Sequence, residues 1–257
     1  MYNFTYKNFA AVINKYQYFF NTGDIVAGTI FSIENGCILV DIGANIVGHL
    51  PLEELTLNKN ENLFKFFQVN MIREFYILLC DWETNQIILS IKKIDSIKAW
   101  KRIRQIFEEN VIISAEVIKL NRGGCIVQFD ELKGFVPKSH LILNKKLQKN
   151  ENIFLKILEF KEDLNYLLLS ARCAYIQQNV PLFQPGKIIH GTVDSVQGYG
   201  LFIKFQGLKG LLHISEIILP SQNSIQNNFT VGQSIEAMII HVDTLKGRIT
   251  LSQKGIF

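Results

Sequence analysis

Three stretches of the chain share one pattern of apolar and polar positions. Residues 23–50 read GDIVAGTIFSIENGCILVDIGANIVGHL, residues 114–136 read SAEVIKLNRGGCIVQFDELKGFV, and residues 186–212 read GKIIHGTVDSVQGYGLFIKFQGLKGLL. In each, an alternating run leads through a turn to a glycine (Gly36, Gly124, Gly200) and a second run, and a further glycine (Gly48, Gly134, Gly210) opens a third. Period-two alternation bounded by turn residues predicts strands with one buried face. Each stretch is followed by a strand pair ending in Leu-Ser, at Ser90, Ser170 and Ser252. Matches recurring in the same order mark an internal repeat.

Five short strands in a unit of about 70 residues leave open sheet edges unless they close, and a Greek-key barrel of the oligonucleotide-binding (OB) kind closes them. The expected fold class is all-β: three tandem five-stranded OB-fold barrels joined by short helical linkers. The expected divisions are an N-terminal amphipathic helix at 1–22, repeat one at 23–92, a basic helical linker at 93–107, repeat two at 108–173, a linker at 174–184 and repeat three at 185–257. Phe9, Val12, Ile13, Tyr16 and Phe20 give the first helix its apolar stripe, which either packs on repeat one or docks on a partner. In the basic linker, Ile94, Ile97, Trp100, Ile103 and Phe107 recur at spacings of three and four. Its other face carries Lys92, Lys93, Lys98, Lys101, Arg102 and Arg104, either as a solvated surface or as a phosphate contact.

Composition narrows the classes. With 48% hydrophobic and 19% charged residues, long disordered tails are not expected. A net charge of +4 permits an anionic partner without requiring one. The four cysteines form no C-x-x-C pair, so neither a zinc site nor a disulfide framework is expected, and free thiols imply a reducing compartment. No run of apolar residues is long enough to span a membrane. The first twenty residues contain neither Arg nor Ser and are too often interrupted for a signal peptide. No catalytic constellation is found: phosphate loop, H-E-x-x-H and G-x-S-x-G are all missing. Gly198-Tyr199-Gly200 lies between strands rather than before a helix, and His213 to Glu216 has no second ligand pair. The expectation is a protein that is not an enzyme, with no cofactor, no metal, no membrane and no small-molecule substrate.

Repeat three differs from the others in its outward residues. Tyr199 and Phe202 open its second strand and His213 ends its third, and exposed rings stack on bases regardless of base identity. A spacing of three breaks strand alternation, so a bulge at Gly200 is expected to bring the two rings to one face. Lys204 shares that face, and Asp243 and Arg248 flank the turn of the last hairpin. Leu201, Ile203 and Phe205 supply the inward set. The equivalents of Tyr199, Phe202 and His213 are read as Asn35, Ile38 and Pro51 in repeat one and Gly123, Ile126 and Pro137 in repeat two, so neither has a stacking platform. Repeat two keeps Lys119, Arg122, Lys133 and Lys138 on its face, an electrostatic groove rather than a base reader.

These residues resemble the S1 RNA-binding domain family. The glycine–aromatic–glycine–x–aromatic run at Gly198 to Phe202, the G-L-L-H-I-S-E run at Gly210 to Glu216 and the G-R-I-x-L-S run at Gly247 to Ser252 carry the likeness. Over nearly its whole length the chain is similar to the three-repeat members from cyanobacteria and chloroplasts. The resemblance implies RNA contacts at Tyr199, Phe202, His213, Asp243 and Arg248. It also implies a constituent of the small ribosomal subunit that binds single-stranded mRNA and supports translation initiation, in the plastid stroma or alternatively the bacterial cytoplasm. Two other readings stay open: a free RNA-protecting or transcription factor, and a non-catalytic RNA-binding subunit of a ribonuclease.

Overall fold

The computed structural model describes residues 20–34, 36–44, 46–55, 67–143, 147–218 and 225–256. The expected N-terminal helix therefore falls almost entirely outside the described residues, as does Asn35. The chain divides into two compact units, residues 1–99 and 100–257. Among the described residues no helix is long and apolar enough to cross a membrane.

The first unit holds one barrel, built from β1 (Ile25–Ile33), β2 (Cys37–Asp41), β3 (Gly48–Pro51), β4 (Ile72–Asp81) and β5 (Gln86–Ser90), closed in the order β1-β2-β3-β5-β4. The second unit holds two. Their strands are β6 (Ile113–Asn121), β7 (Gly124–Phe129), β8 (Leu132–Pro137), β9 (Asn152–Lys161) and β10 (Tyr166–Ser170), then β11 (Ile188–Gln197), β12 (Gly200–Phe205), β13 (Leu208–His213), β14 (Ser234–Asp243) and β15 (Arg248–Ser252). Both close with the same strand connectivity as the first. The all-β architecture of three closed five-stranded barrels is thus present. Helix α1 (Lys92–Glu108) follows the first barrel and α2 (Ala171–Gln178) the second, while α3 (Ile225–Asn228) lies inside the third repeat.

Alternation sets the cores. Ile30, Ile38, Val40, Leu50, Phe75, Ile77, Ile87 and Leu89 are fully enclosed in the first barrel, and Leu201, Ile203, Leu212, Ile239 and Leu251 in the third. The first strand of each barrel is bulged, at Ile30/Ser32, Val117/Lys119 and Val193/Ser195. Such bulges bend a strand and add twist, which closing five strands demands.

Closure is completed by the parallel pairing of the third strand with the fifth, and here the two sequence signatures meet. A Cβ on Gly48, Gly134 or Gly210 would lie 2.5, 2.5 or 2.7 Å from the Cδ1 of Leu89, Leu169 or Leu251. The third-strand glycine is therefore the socket for the leucine of the Leu-Ser pair. The serine that follows is buried in every barrel. The Ser90 hydroxyl donates to Glu54 Oε2 at 2.7 Å and that of Ser252 to Glu216 Oε2 at 2.6 Å, while Ser170 Oγ lies 3.0 Å from His140 Nδ1. Ser90 and Ser170 also accept the backbone N–H of Lys93 and Cys173, capping the helices that follow.

The basic face of α1 is largely committed within the chain. Lys92 pairs with Glu54 (3.8 Å), Lys98 with Glu74 (3.4 Å), Arg102 with Asp130 (2.9 Å) and Arg104 with Glu162 (2.5 Å). Arg102 also lies over the Phe129 ring, 5.6 Å from its centroid. These pairings favour the solvated-face reading over a phosphate-contacting one for those four residues. Of the expected apolar stripe, Ile94, Trp100 and Ile103 are buried, whereas Ile97 and Phe107 are exposed. Trp100 and Phe107 both contact Phe160, with ring centroids 6.3 and 5.4 Å apart.

The socket makes a stability prediction. Gly210→Ala is expected to cost about 1–3 kcal/mol, because the added methyl overpacks against Leu251 and Phe205. Gly198→Ala, where a Cβ meets nothing within 4 Å, should stay within about 0.5 kcal/mol. Denaturant unfolding of both variants tests this, and equal losses would remove the socket argument.

Candidate nucleic-acid interface

The outward face of the third barrel is assembled by register. Its β11–β12 hairpin has a two-residue turn, Gly198-Tyr199, between the paired residues Gln197 and Gly200. Tyr199 therefore projects from the turn itself, 52% exposed, while Phe202 is half-buried on the strand. The ring centroids lie 6.3 Å apart at an interplanar angle of 90°. The two rings do share one face, but not through a bulge at Gly200. Strand β12 pairs regularly with β13 from Gly200 to Phe205, and the bulge lies on β11 opposite Phe202. Gly200 serves a different need: a Cβ there would lie 2.3 Å from the Leu212 carbonyl oxygen.

His213 stands directly across from Gly200 and is exposed. Its Nδ1 lies 2.9 Å from Ser215 Oγ and accepts the Ser215 N–H at 3.3 Å. That arrangement leaves Nε2 as the ring nitrogen available to a ligand. The row continues outward from Phe202 through Leu211 on β13, Thr250 on β15 and His241 on β14. Leu211, Thr250 and His241 were not singled out in the sequence, although the alternation that buries Leu212 and Leu251 turns them outward, His241 exposed and the other two half-buried.

Lys204 is half-buried two residues beyond Phe202 on the same face, opposite Lys209. Lys209 is committed to Asp194 at 2.5 Å. Asp243 and Arg248 are paired across β14 and β15. The Asp243 carboxylate accepts the backbone N–H groups of Lys246 (2.9 Å) and Leu245 (3.0 Å), which with the nearby charges of Lys246 and His241 hold it below the usual carboxylate range. Its geometry is that of a turn cap. Arg248 is exposed and lines a cavity between the second and third barrels, apart from the two rings.

In the second barrel Arg122, Lys133 and Lys138 are all exposed, with Lys119. Arg122 occupies the β6–β7 turn, and Lys138 opens the one-turn 3-10 helix Lys138–His140. Lys119 stands opposite Ile126, at the position of Phe202.

Register corrects one set of equivalences. Ser32 faces Leu39 as Ser195 faces Phe202, and Glu34 N donates to Cys37 O, so Gly36, Leu39 and Pro51 match Tyr199, Phe202 and His213. Ile38 is a core residue with no exposed surface. Matching glycine to glycine displaced the repeat-one reading by one residue. The first barrel still carries no aromatic residue at these positions.

The cavity that Arg248 lines has a volume of about 750 Å³ and is also bordered by His140, Lys156, Lys246 and Glu108. Burial first, then the charges of Arg172 and Arg248, push His140 below the ordinary histidine value. Burial likewise lowers the Lys156 ammonium. Among the described residues no cluster of three or more His, Cys, Asp or Glu could hold a metal ion.

The S1 RNA binding domain matches the chain three times, at residues 20–92, 106–172 and 182–254. The small ribosomal subunit protein bS1c of Pyropia yezoensis is 45% identical over 98% of this chain and 97% of its own length. That of Porphyra purpurea is 45% identical over 99% of this chain and 97% of its own length. The small ribosomal subunit protein bS1 of a Synechococcus strain is 39% identical over 98% and 83% respectively.

Because the folded His140 holds its proton less tightly than an exposed histidine, the unfolded chain is protonated first as pH falls. Its contribution is fully present above about pH 6.5 and is lost as pH drops from there through the lower folded value. Melting temperature measured between about pH 7.5 and pH 5 should therefore decline less in His140→Gln than in the unaltered chain. Parallel curves would remove His140 as a source of the acid sensitivity.

Proposed function

Since the chain belongs to the S1 RNA-binding domain family, we propose that it is a constituent of the small ribosomal subunit of a plastid or a cyanobacterium. Its proposed role is to capture single-stranded mRNA for translation without catalysing a reaction. The observation that supports this most directly is the edge-to-face pair of the exposed Tyr199 and the half-buried Phe202 beside His213. Two rings at right angles offer separate surfaces to successive bases, each stack being worth about 1–3 kcal/mol whatever the base. His213 Nε2 and Lys204 add a donor and a cation within the same face.

The second barrel has no such rings but presents Lys119, Arg122, Lys133 and Lys138, which attract phosphate without reading sequence. Chemistry is thus divided: stacking in the third barrel, attraction in the second. Asp243 enters through the turn it caps, holding the hairpin that carries Arg248.

Phe202→Ala is expected to lose about 1–3 kcal/mol of affinity for an unstructured oligonucleotide with little change in salt dependence. Lys204→Ala should instead flatten the salt slope by about one charge. Thermal melting and RNA titration at two salt concentrations, made on the same proteins, separate stacking from packing. Loss of melting temperature with unchanged affinity in the folded fraction would defeat the platform. Cosedimentation with small subunits in a sucrose gradient tests the ribosomal role, and a protein that stays at the top of the gradient would favour a free RNA-protecting factor.

A further inference from the structure

We infer that the cavity between the second and third barrels is a phosphodiester-binding site for the RNA strand, created by a histidine at a position where the other two barrels carry a glutamate. The inference rests on the RNA-capture reading of the third barrel and extends it to a second, non-stacking site.

The equivalence comes from the closing serine. In the first and third barrels its hydroxyl meets a carboxylate, Glu54 or Glu216, at the end of a one-turn 3-10 helix. In the second barrel the same place on the same turn belongs to His140, whose Nδ1 meets Ser170. The hydrogen bond survives the exchange, but the negative charge does not.

That lost charge would have faced an unusual concentration of cations. Arg172 and Arg248 are both close enough to depress His140. Lys156 is 97% buried, and its one hydrogen bond among the described residues is a long one, 3.4 Å to the Thr244 carbonyl. Arg172 gives one nitrogen to the Lys209 carbonyl and lines a separate pocket with Lys138 and Lys209. No carboxylate among the described residues lies within ion-pair distance of Arg248, Lys246 or Lys156. Of the two nearby acids, Glu108 borders the cavity, and Asp243 is tied to its own turn. A buried ammonium left with a single long hydrogen bond, on a wall shared with Lys246 and Arg248, calls for an anion.

Shape and position select the phosphodiester. A volume of about 750 Å³ exceeds what an inorganic ion fills, and Phe107, Ile157, Leu158 and Leu245 give apolar walls for sugar or base. Arg248 lies on β15 two residues before Thr250, whose neighbours across the sheet are Leu211 and then Phe202. The outer face of the third barrel therefore runs from the ring pair to the cavity without leaving the sheet. Two contacts join the barrels: Leu143 N donates to Gly207 O at 2.9 Å, and Cys173 Sγ approaches the carbonyl of Leu245, a residue of the cavity wall, at 3.4 Å.

His140→Glu is the direct test, because the glutamate–serine bond already forms in both other barrels. Binding is measured on the full chain with oligouridylates of ~6 and ~16 nucleotides, the shorter confined to one barrel and the longer able to span two. The substitution should weaken the longer ligand by roughly threefold to tenfold at low salt and flatten its salt slope, leaving the shorter one unchanged. Wild-type binding of the longer ligand by His140→Glu overturns the inference. Should that variant fail to fold, Lys246→Glu at the exposed rim decides by the same comparison. Loss of small-subunit cosedimentation with RNA affinity intact would also overturn it, assigning the cavity to an acidic protein segment. Phe202→Ala on the shorter ligand reports on the platform alone, so failure of that reading is seen separately.

Discussion

The barrels depend on one short junction, the parallel contact of third and fifth strands. It is brief: Gly48 and His49 with Ile87 and Ile88, Phe135 with Leu168, and Leu211 and Leu212 with Thr250 and Leu251. Parallel ladders of one or two residue pairs contribute few hydrogen bonds, so side chains must complete the closure. A leucine dropping into a glycine socket supplies packing, and a buried serine hydroxyl ties the fifth strand to the turn after the third. A buried hydroxyl left without a partner would cost about 1–3 kcal/mol, so the glutamate or histidine across from it is part of the barrel. The same serine caps the next helix in the first two barrels.

That junction also sets where chemistry can occur. It fixes the third strand, whose end places His213 opposite Gly200, beside the turn that carries Tyr199 and the strand that carries Phe202. Once the core residues are inside, the outward row is fixed with no further choice. The geometry is common to all three barrels and the side chains are not. At the positions of Tyr199, Phe202 and His213, the third barrel carries rings and the other two do not.

Much of this was legible because closure leaves marks in the sequence. The glycine opening the third strand and the terminal Leu-Ser recur since each repeat must solve the same packing problem. The ring pair was legible because Leu201, Ile203 and Phe205 already account for the interior. Less visible was the one-residue displacement in the first repeat, where Gly36 belongs to a turn and Gly200 to a close backbone approach. The ion pairs of α1 were hidden because Asp130 and Glu162 are distant in sequence. His140 did leave a signal, the replacement of H-I-S-E by P-K-S-H, but its setting required seeing Lys156, Lys246 and Arg248 line one cavity beside it.

The outward row has a consequence for how such a chain diversifies. Positions 199, 202 and 213 are exposed or half-buried, and none of them holds the third and fifth strands together. Their counterparts Gly123, Ile126 and Pro137 occupy the same register in the second barrel. Selection can therefore rewrite ligand preference one barrel at a time while the interior stays under a separate and stricter constraint. Repeated barrels of this kind form a set of comparable slots, in which a change at these outward positions leaves the closing junction of its own barrel untouched.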